Sequence, residues 1–283
     1  MRVDGWPRSG YARNVPIERT LVVPDVHVPE HDPEAIETLL AVVARWRPDR
    51  IVILGDFLDC GAWSSHARQS PEEGAASFLA DEVGPANLLL DRLAGRAQRP
   101  IVYLEGNHEH RVARWLANHA AHLGPDLLTL ASPAHLLRHR VGADGRPRGE
   151  RSRFTWIPYV GAGVHSHYKI APNLIAIHGW SVAKNAARTH LEAARSCSIV
   201  HGHTHRAQSV TGRDPLTGEI YHAWSPGCLA KLHPLYMANN PHDWSHGISL
   251  IYHGSQARDW TYYTVPIQRG RAILPDGREI RAG

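Results

Sequence analysis

Three short apolar runs, separated by two stretches of helical period, mark the first hundred residues. "TLVVPD" (20–25), "RIVILGD" (50–56) and "IVYLEG" (101–106) are continuous apolar segments of strand length. Between the first two, "PEAIETLLAVVARWRP" sets Ile36, Leu39, Leu40 and Val43 on one helical face. Asp32 suits the N-cap, Pro33 the first helical position and Pro48 the stop. "PANLLLDRLAG" (85–95) predicts a second helix before the third strand. This order predicts a parallel sheet built from right-handed crossovers, in which ligands bind beyond the carboxyl ends of the strands.

Beyond residue 106 the pattern changes twice. "HRVARWLANHAAHLG" (110–124) reads as helix, and "RHRVGADGRPRGERSRF" (138–154) as an exposed, basic loop, so 111–170 has the character of an insertion. "NLIAIHG" (173–179) and "CSIVHGH" (197–203) predict two further strands around a helical "SVAKNAARTHLEAARS" (181–196). From residue 206, "AQSVTGRDPLTGEIYHAW", "ISLIYHG" and "WTYYTVPI" alternate and turn as antiparallel strands do. With neither an internal repeat nor a convincing linker, 1–283 is expected to be one domain. Its core motifs lie in 20–205, and a β-rich part, 206–283, closes it.

Composition narrows the class. The chain has 283 residues, 43% of them hydrophobic, enough for a real core. The first 20 residues lack a continuous apolar segment and no window approaches 18 uninterrupted apolar residues, so the expectation is a soluble, cytoplasmic protein with no membrane partner. Cys60, Cys197 and Cys228 are too widely spaced for a disulfide framework or a metal knuckle, and read as small apolar residues. The net charge of +4 permits an anionic partner without requiring one. The 21 histidines justify a search for metal-ligand spacing.

That search converges on the predicted strand ends. The first carries Asp25 and His27, the second Asp56 and Asp59, the third Asn107 and His108; the next two carry His178, then His203 and His205. Each pair alone has a plain reading: Asp-x-His as an N-cap, Gly-Asp or Gly-Asn-His as a turn that satisfies its own backbone. Chance is a poor account of five strand ends carrying metal-capable groups.

Those motifs, "DVH", "GDFLD", "GNHE", the later His178 and "GHTH", resemble the signature of the calcineurin-like metallophosphoesterases, in the right order over residues 25–205. The resemblance implies a four-layer α-β-β-α sandwich with two metal ions at the strand ends. It implies that Asp25, His27, Asp56 and His205 hold one metal, and that Asp56, Asn107, His178 and His203 hold the other, with Asp56 bridging. It also implies that His108 is the catalytic histidine, oriented by Asp59, with Glu109 bracing the turn. Two metals so held can clamp a phosphoryl group and activate a water near neutral pH. The mixed oxygen and nitrogen donors suit manganese first, with iron, zinc, cobalt or nickel as alternatives.

Other chemistries lack their motifs. Ser181 to Lys184 has Ser-x-x-Lys spacing but no partner motif, and reads as a helix face. Neither a P-loop nor a Gly-x-Gly-x-x-Gly run is present. His165, His167, His201 and His222 are cleft or packing residues alike on this evidence.

Substrate is less legible. The protein phosphatase branch follows its second motif with Arg-Gly, whereas Asp59 here precedes Cys60 and Gly61, which counts against a serine/threonine phosphatase. Arg111 and Arg114, with Arg138, Arg140, Arg146, Arg148, Arg151 and Arg153 in the basic loop, are placed to follow a nucleic-acid backbone, or to form a solvated surface. A phosphodiesterase of nucleic acid or a nucleotide is therefore the leading expectation. A phosphomonoesterase is second, and a non-catalytic metal-bound protein third. The aromatic stretch 224–244 either covers the cleft or makes a subunit contact.

Overall fold

The computed structural model describes residues 16–63, 77–161, 164–194, 196–234, 237, 241–254, 256 and 259–283. The chain start and part of the 224–244 stretch lie outside the described residues. The strands are β1 (Glu18–Val23), β2 (Arg50–Ile53), β3 (Ile101–Leu104), β4 (Phe154–Ile157), β5 (Val160–Gly161), β6 (Val164–His165), β7 (Tyr168–Ala171) and β8 (Leu174–Ile177). They continue with β9 (Ser198–His201), β10 (Ala207–Arg213), β11 (Ile220–Pro226), β12 (Gly247–His253), β13 (Trp260–Gln268), β14 (Arg271–Ile273) and β15 (Glu279–Arg281). The α-helices are α1 (Pro33–Trp46), α2 (Gly84–Ala94), α3 (Asn107–His119), α4 (Gly124–Leu130), α5 (Pro133–Arg138) and α6 (Ala186–Ala194).

Local chemistry sets the helix ends. The Asp32 carboxylate accepts from the Ala35 amide at 2.8 Å, Pro33 opens α1, and Arg47 closes it in a left-handed conformation. Ile36, Leu39, Leu40 and Val43 are all buried, as their spacing predicts.

The strands form two sheets. One runs β15-β14-β13-β12-β1-β2-β3-β4, the other β10-β11-β9-β8-β7. β1 to β4 pair in parallel, and β12 joins β1 antiparallel, so the closing part extends the first sheet. Alternation along β1 divides the interior. Leu21 and Val23 pack with α1 and α2, while Val22 faces Val52, Leu54, Leu174 and Val200 between the sheets. On the far side of the second sheet, Ile177 and Ile199 pack with Ala187 and Leu191 of α6. Helices, sheet, sheet, helix is the expected four-layer order.

Three sequence expectations change. β4 and β7 are strands that were not predicted, being four residues long and lying within the supposed insertion. The predicted helix from 181 starts at Ala186, which leaves Ser181–Lys184 as irregular chain. Every predicted motif strand ends early: Val23 rather than residue 25, Ile53 rather than 56, His201 rather than 203. The last residues of each run are the loop that carries the motif.

Candidate metal centre

Asp25 and His27 follow β1, Asp56 follows β2, Asn107 and His108 open α3 after β3, His178 follows β8, and His203 and His205 follow β9. The loops turn so sharply that His27, Asp56, His203 and His205 adopt left-handed backbone, with φ of 56°, 47°, 72° and 58°. Such conformations are uncommon for side-chain-bearing residues and cluster at functional sites. Two glycines make room for the carboxylates. A Cβ on Gly106 would stand 2.1 Å from an Asp56 oxygen, and one on Gly202 would stand 2.4 Å from an Asp25 oxygen.

All the residues predicted from the strand ends come together. Single ligand-capable atoms of Asp25, His27 and His205 lie within 4.8 Å of one another, and so do those of Asp56, His178 and His203. A third group, His27, Asp56 and His108, joins the two. His27 Nε2 is 3.1 Å from His205 Nε2 and 3.8 Å from Asp56 Oδ2; His178 Nε2 is 3.4 Å from the same Asp56 oxygen and 2.9 Å from Asn107 Oδ1. Asp56 thus sits between the two groups.

The outer partners fix the ring orientations. His178 Nδ1 donates to the Leu54 carbonyl at 2.7 Å, turning Nε2 inward, and His27 Nδ1 does the same against Asp59 at 2.9 Å. His203 N donates to Asp25 Oδ1 at 2.8 Å. The Asp59 carboxylate is therefore closer to His27 than to His108, whose Nδ1 is 3.4 Å from it. His108 Nδ1 instead faces the Asp59 backbone carbonyl, an acceptor only, so this nitrogen carries the hydrogen. Arg111 lies over the same ring, 3.0 Å from Nε2 and 3.1 Å from Nδ1.

Glu109 has a larger part than bracing a turn. Fully buried, it accepts from the amides of Asp56, Phe57, Leu58 and Gly106 at 2.8–3.1 Å and from the Tyr103 hydroxyl at 2.6 Å. The sequence assigned it only the turn; its carboxylate in fact accepts from the Gly106 amide at the start of α3 and reaches across to the Asp56 loop.

Electrostatics reflect crowded burial. Desolvation raises the Asp25 carboxyl to about 7. Burial opposes charge on His27, yet the Asp59 hydrogen bond and the nearby Asp56 lift it to about 9; His178 reaches about 9 against the same burial, through Asp56. Burial with the cationic neighbour His178 pushes His203 down to about 4, and His205 also falls well below its ordinary value. Asp56 and Asp59 stay well below the usual carboxylate range because adjacent imidazoles outweigh their desolvation.

Other candidates fall away from the site. His201 is fully buried and held near 4 by desolvation, behind the motif it precedes. His190, not singled out in the sequence, is also buried, its Nε2 accepting from the amides of Trp180 and Ser181. His165 stacks on Trp180 and His222 on Trp224. Cys60 and Cys228 are buried free thiols that burial pushes up, away from thiolate chemistry. In the basic loop, Arg138 faces Glu150, Arg148 faces Asp144, and Arg140 and Arg151 both bind Asp91. Arg151 is buried and faces inward to Asp91; the sequence could not show this because Asp91 lies 60 residues away on α2.

The donor set fits divalent metal ions. Asp25 Oδ2, His203 Nδ1 and His205 Nδ1 are buried with no hydrogen-bond partner, beside carboxylates and imidazoles that converge without a thiolate. Fold and site together define a metal-dependent phosphoesterase. The chain belongs to the calcineurin-like phosphoesterase family, which it matches over residues 18–225. It is 26% identical over 195 residues to the Gene 54 proteins of Mycobacterium phages D29 and L5, covering 67% of this chain and 69% of each relative. Similar solved structures include Vps29 of Chaetomium thermophilum, at 10% identity and TM-score 0.45 over 93% of this chain and 92% of that one. Yfce, a phosphoesterase from E. coli, has 13% identity and TM-score 0.36 over 88% and 100%. Among the described residues, no helix is long and apolar enough to cross a membrane.

Proposed function

We propose that the chain is a two-metal phosphodiesterase acting on nucleic acid or a nucleotide, with manganese as its preferred metal. Asp25, His27, Asp56 and His205 would hold one ion, and Asp56, Asn107, His178 and His203 the other. Bound there, the ions would supply Lewis acidity toward a phosphoryl oxygen and a water acidified toward neutral pH. His108 presents Nε2 to the same space, 3.8 Å from Asp56 Oδ2, while Nδ1 is held by the Asp59 carbonyl. With the hydrogen on Nδ1 and the Arg111 guanidinium 3.0 Å from Nε2, the ring passes a proton from Nε2 to a leaving oxygen only in its doubly protonated form.

The observation that carries the diester reading is the continuation of positive charge from His108 along α3. Arg111 covers the His108 ring and Arg114, one residue short of the next turn, is exposed. A substrate with phosphates on both sides of the reacting one makes use of both; a small monoester needs only the first.

The test is turnover of an aryl phosphodiester against the matching monoester by manganese-loaded protein. The diester is expected to be favoured, and His108→Ala is expected to lower turnover at least about a hundredfold with metal content near two per chain. A monoester preference would replace this reading with a phosphatase. Loss of neither substrate's turnover on His108→Ala would remove the role given to that residue.

A further inference from the structure

Behind the metal centre the chain forms a second concavity, of about 890 Å³. Leu232, Trp244 and Ile267 supply apolar walls, and Arg269, Arg271 and Arg281 stand at its edge. Among the described residues, its lining apart from Ala207 comes from beyond residue 225, where the family match ends. It is built by the closing part of this chain and not by the motifs.

The arginines are arranged at a cost. The β14–β15 register sets Arg271 directly opposite Arg281, and like charges facing across a sheet are destabilising. One carboxylate, Glu279, serves both: it pairs with Arg281 and lies 3.9 Å from Arg271. Arg269 adds a third cation from the β13–β14 turn, where it holds φ of 51°. Three cations stand against Glu279 and, beside the Gly270 turn, Glu34, which still leaves the edge positive. Their side chains remain accessible, Arg271 at 47% and Arg281 at 72%.

We propose that this concavity is a nucleotide-binding site, separate from the metal centre. A phosphate group would lie between Arg271 and Arg281 and relieve their repulsion, as charge-assisted contacts to guanidinium do. A planar base would cover the Trp244 and Leu232 walls. An inorganic anion would leave that apolar surface wet, and an uncharged aromatic would leave the arginines unmatched. The volume falls in the range of small-molecule sites. Trp244 also places the occupant in relation to the chemistry, because its indole packs edge-on against His205 with ring centres 4.3 Å apart. One aromatic side chain separates the two sites.

The experiment is isothermal titration of the full chain with adenosine monophosphate and with adenosine, in chelator so that no metal-held phosphate contributes. Adenosine monophosphate is expected to bind one per chain, and adenosine at least tenfold more weakly. The double variant Arg271→Gln, Arg281→Gln should lose at least tenfold in affinity for the nucleotide. Its turnover of the aryl diester should stay unchanged, since neither residue touches the metal centre, and its thermal midpoint should not fall, since the substitution removes the facing like charges. Arg269→Gln, at the exposed turn, should weaken binding in the same direction, and His108→Ala should leave it intact. No saturable binding up to millimolar nucleotide would overturn the proposal. So would an affinity that the arginine variants leave alone and His108→Ala abolishes, which would return the ligand to the metal centre.

Discussion

The strand-end centre and the basic loop at 138–153 both stand out in the sequence as clusters of one kind of chemistry, yet only one of them folds into a cluster facing a common space. At the strand ends the topology decides the outcome. Parallel strands of two packed sheets deliver Asp25, Asp56, Asn107, His178 and His203 to one edge whatever the loops between them do. In the loop nothing gathers the arginines. Arg140 and Arg151 turn to Asp91 on α2, Arg138 and Arg148 to acids within the loop, and Arg151 is buried. Motif spacing carries information when a sheet fixes the positions; net charge carries little, because its counter-charges can come from anywhere in the chain.

The largest effect expected from this contrast is at Glu109. Glu109→Ala would leave four amides and a hydroxyl buried without their acceptor, each costing about 1–3 kcal/mol and together less than their sum. A loss of at least about 3 kcal/mol, or roughly 10 °C in the thermal midpoint, should accompany a loss of bound metal. A variant that melts with the parent and keeps its metal would show that the Asp56 loop holds its own shape. Within the basic loop, Arg151→Ala should cost about 3 kcal/mol by removing a buried guanidinium together with its bonds to Asp91, Leu137 and Asn87, although Arg140 still holds Asp91, whereas Arg148→Ala, an exposed pair, should change stability by less than about 0.5 kcal/mol. Equal urea midpoints for the two variants would erase the distinction between structural and surface arginines in this loop.

The same contrast explains what could be read from the sequence. α1, α2 and the five motif strands were legible because each has its own period and punctuation, and Asp32, Pro33 and Pro48 mark α1 by themselves. The metal-centre residues were legible because their order along the chain is their order along the sheets. β4 and β7 were hidden by their length, four residues that take their strand character from neighbours such as β3 and β8. Glu109 and Arg151 were misjudged for one shared reason: their partners, the Asp56 loop and Asp91, are contacts of the folded chain that no local pattern encodes.

A pH titration sharpens the comparison at a smaller scale. Glu82, which accepts from the Cys60 amide at 2.7 Å and supports the loop carrying Asp59, is raised by burial to about 8 from an ordinary 4.5. Between those values the folded state binds more protons than the unfolded one, so this group lowers stability as pH rises from about 4.5 through about 8. Glu82→Gln keeps a carbonyl for the amide and removes the ionisation. Urea midpoints at pH 5 and pH 8.5 should then differ less in the variant than in the parent. An identical difference would mean that the carboxyl ionises without penalty.

The smallest effect expected is in the salt dependence of oligonucleotide binding, and it asks whether the positive face belongs to α3 or to the loop. Each phosphate contact removed lowers the slope of log affinity against log salt by about one. Arg111 is anchored over His108 and Arg114 is exposed beside it, so Arg114→Gln should reduce the slope by about one while leaving aryl diester turnover nearly intact. Arg148→Gln should reduce it by less, since its guanidinium is already engaged by Asp144 at 2.9 Å. The reverse ranking would assign the nucleic-acid contact to the loop, and would mean that Asp144 yields its partner to a phosphate.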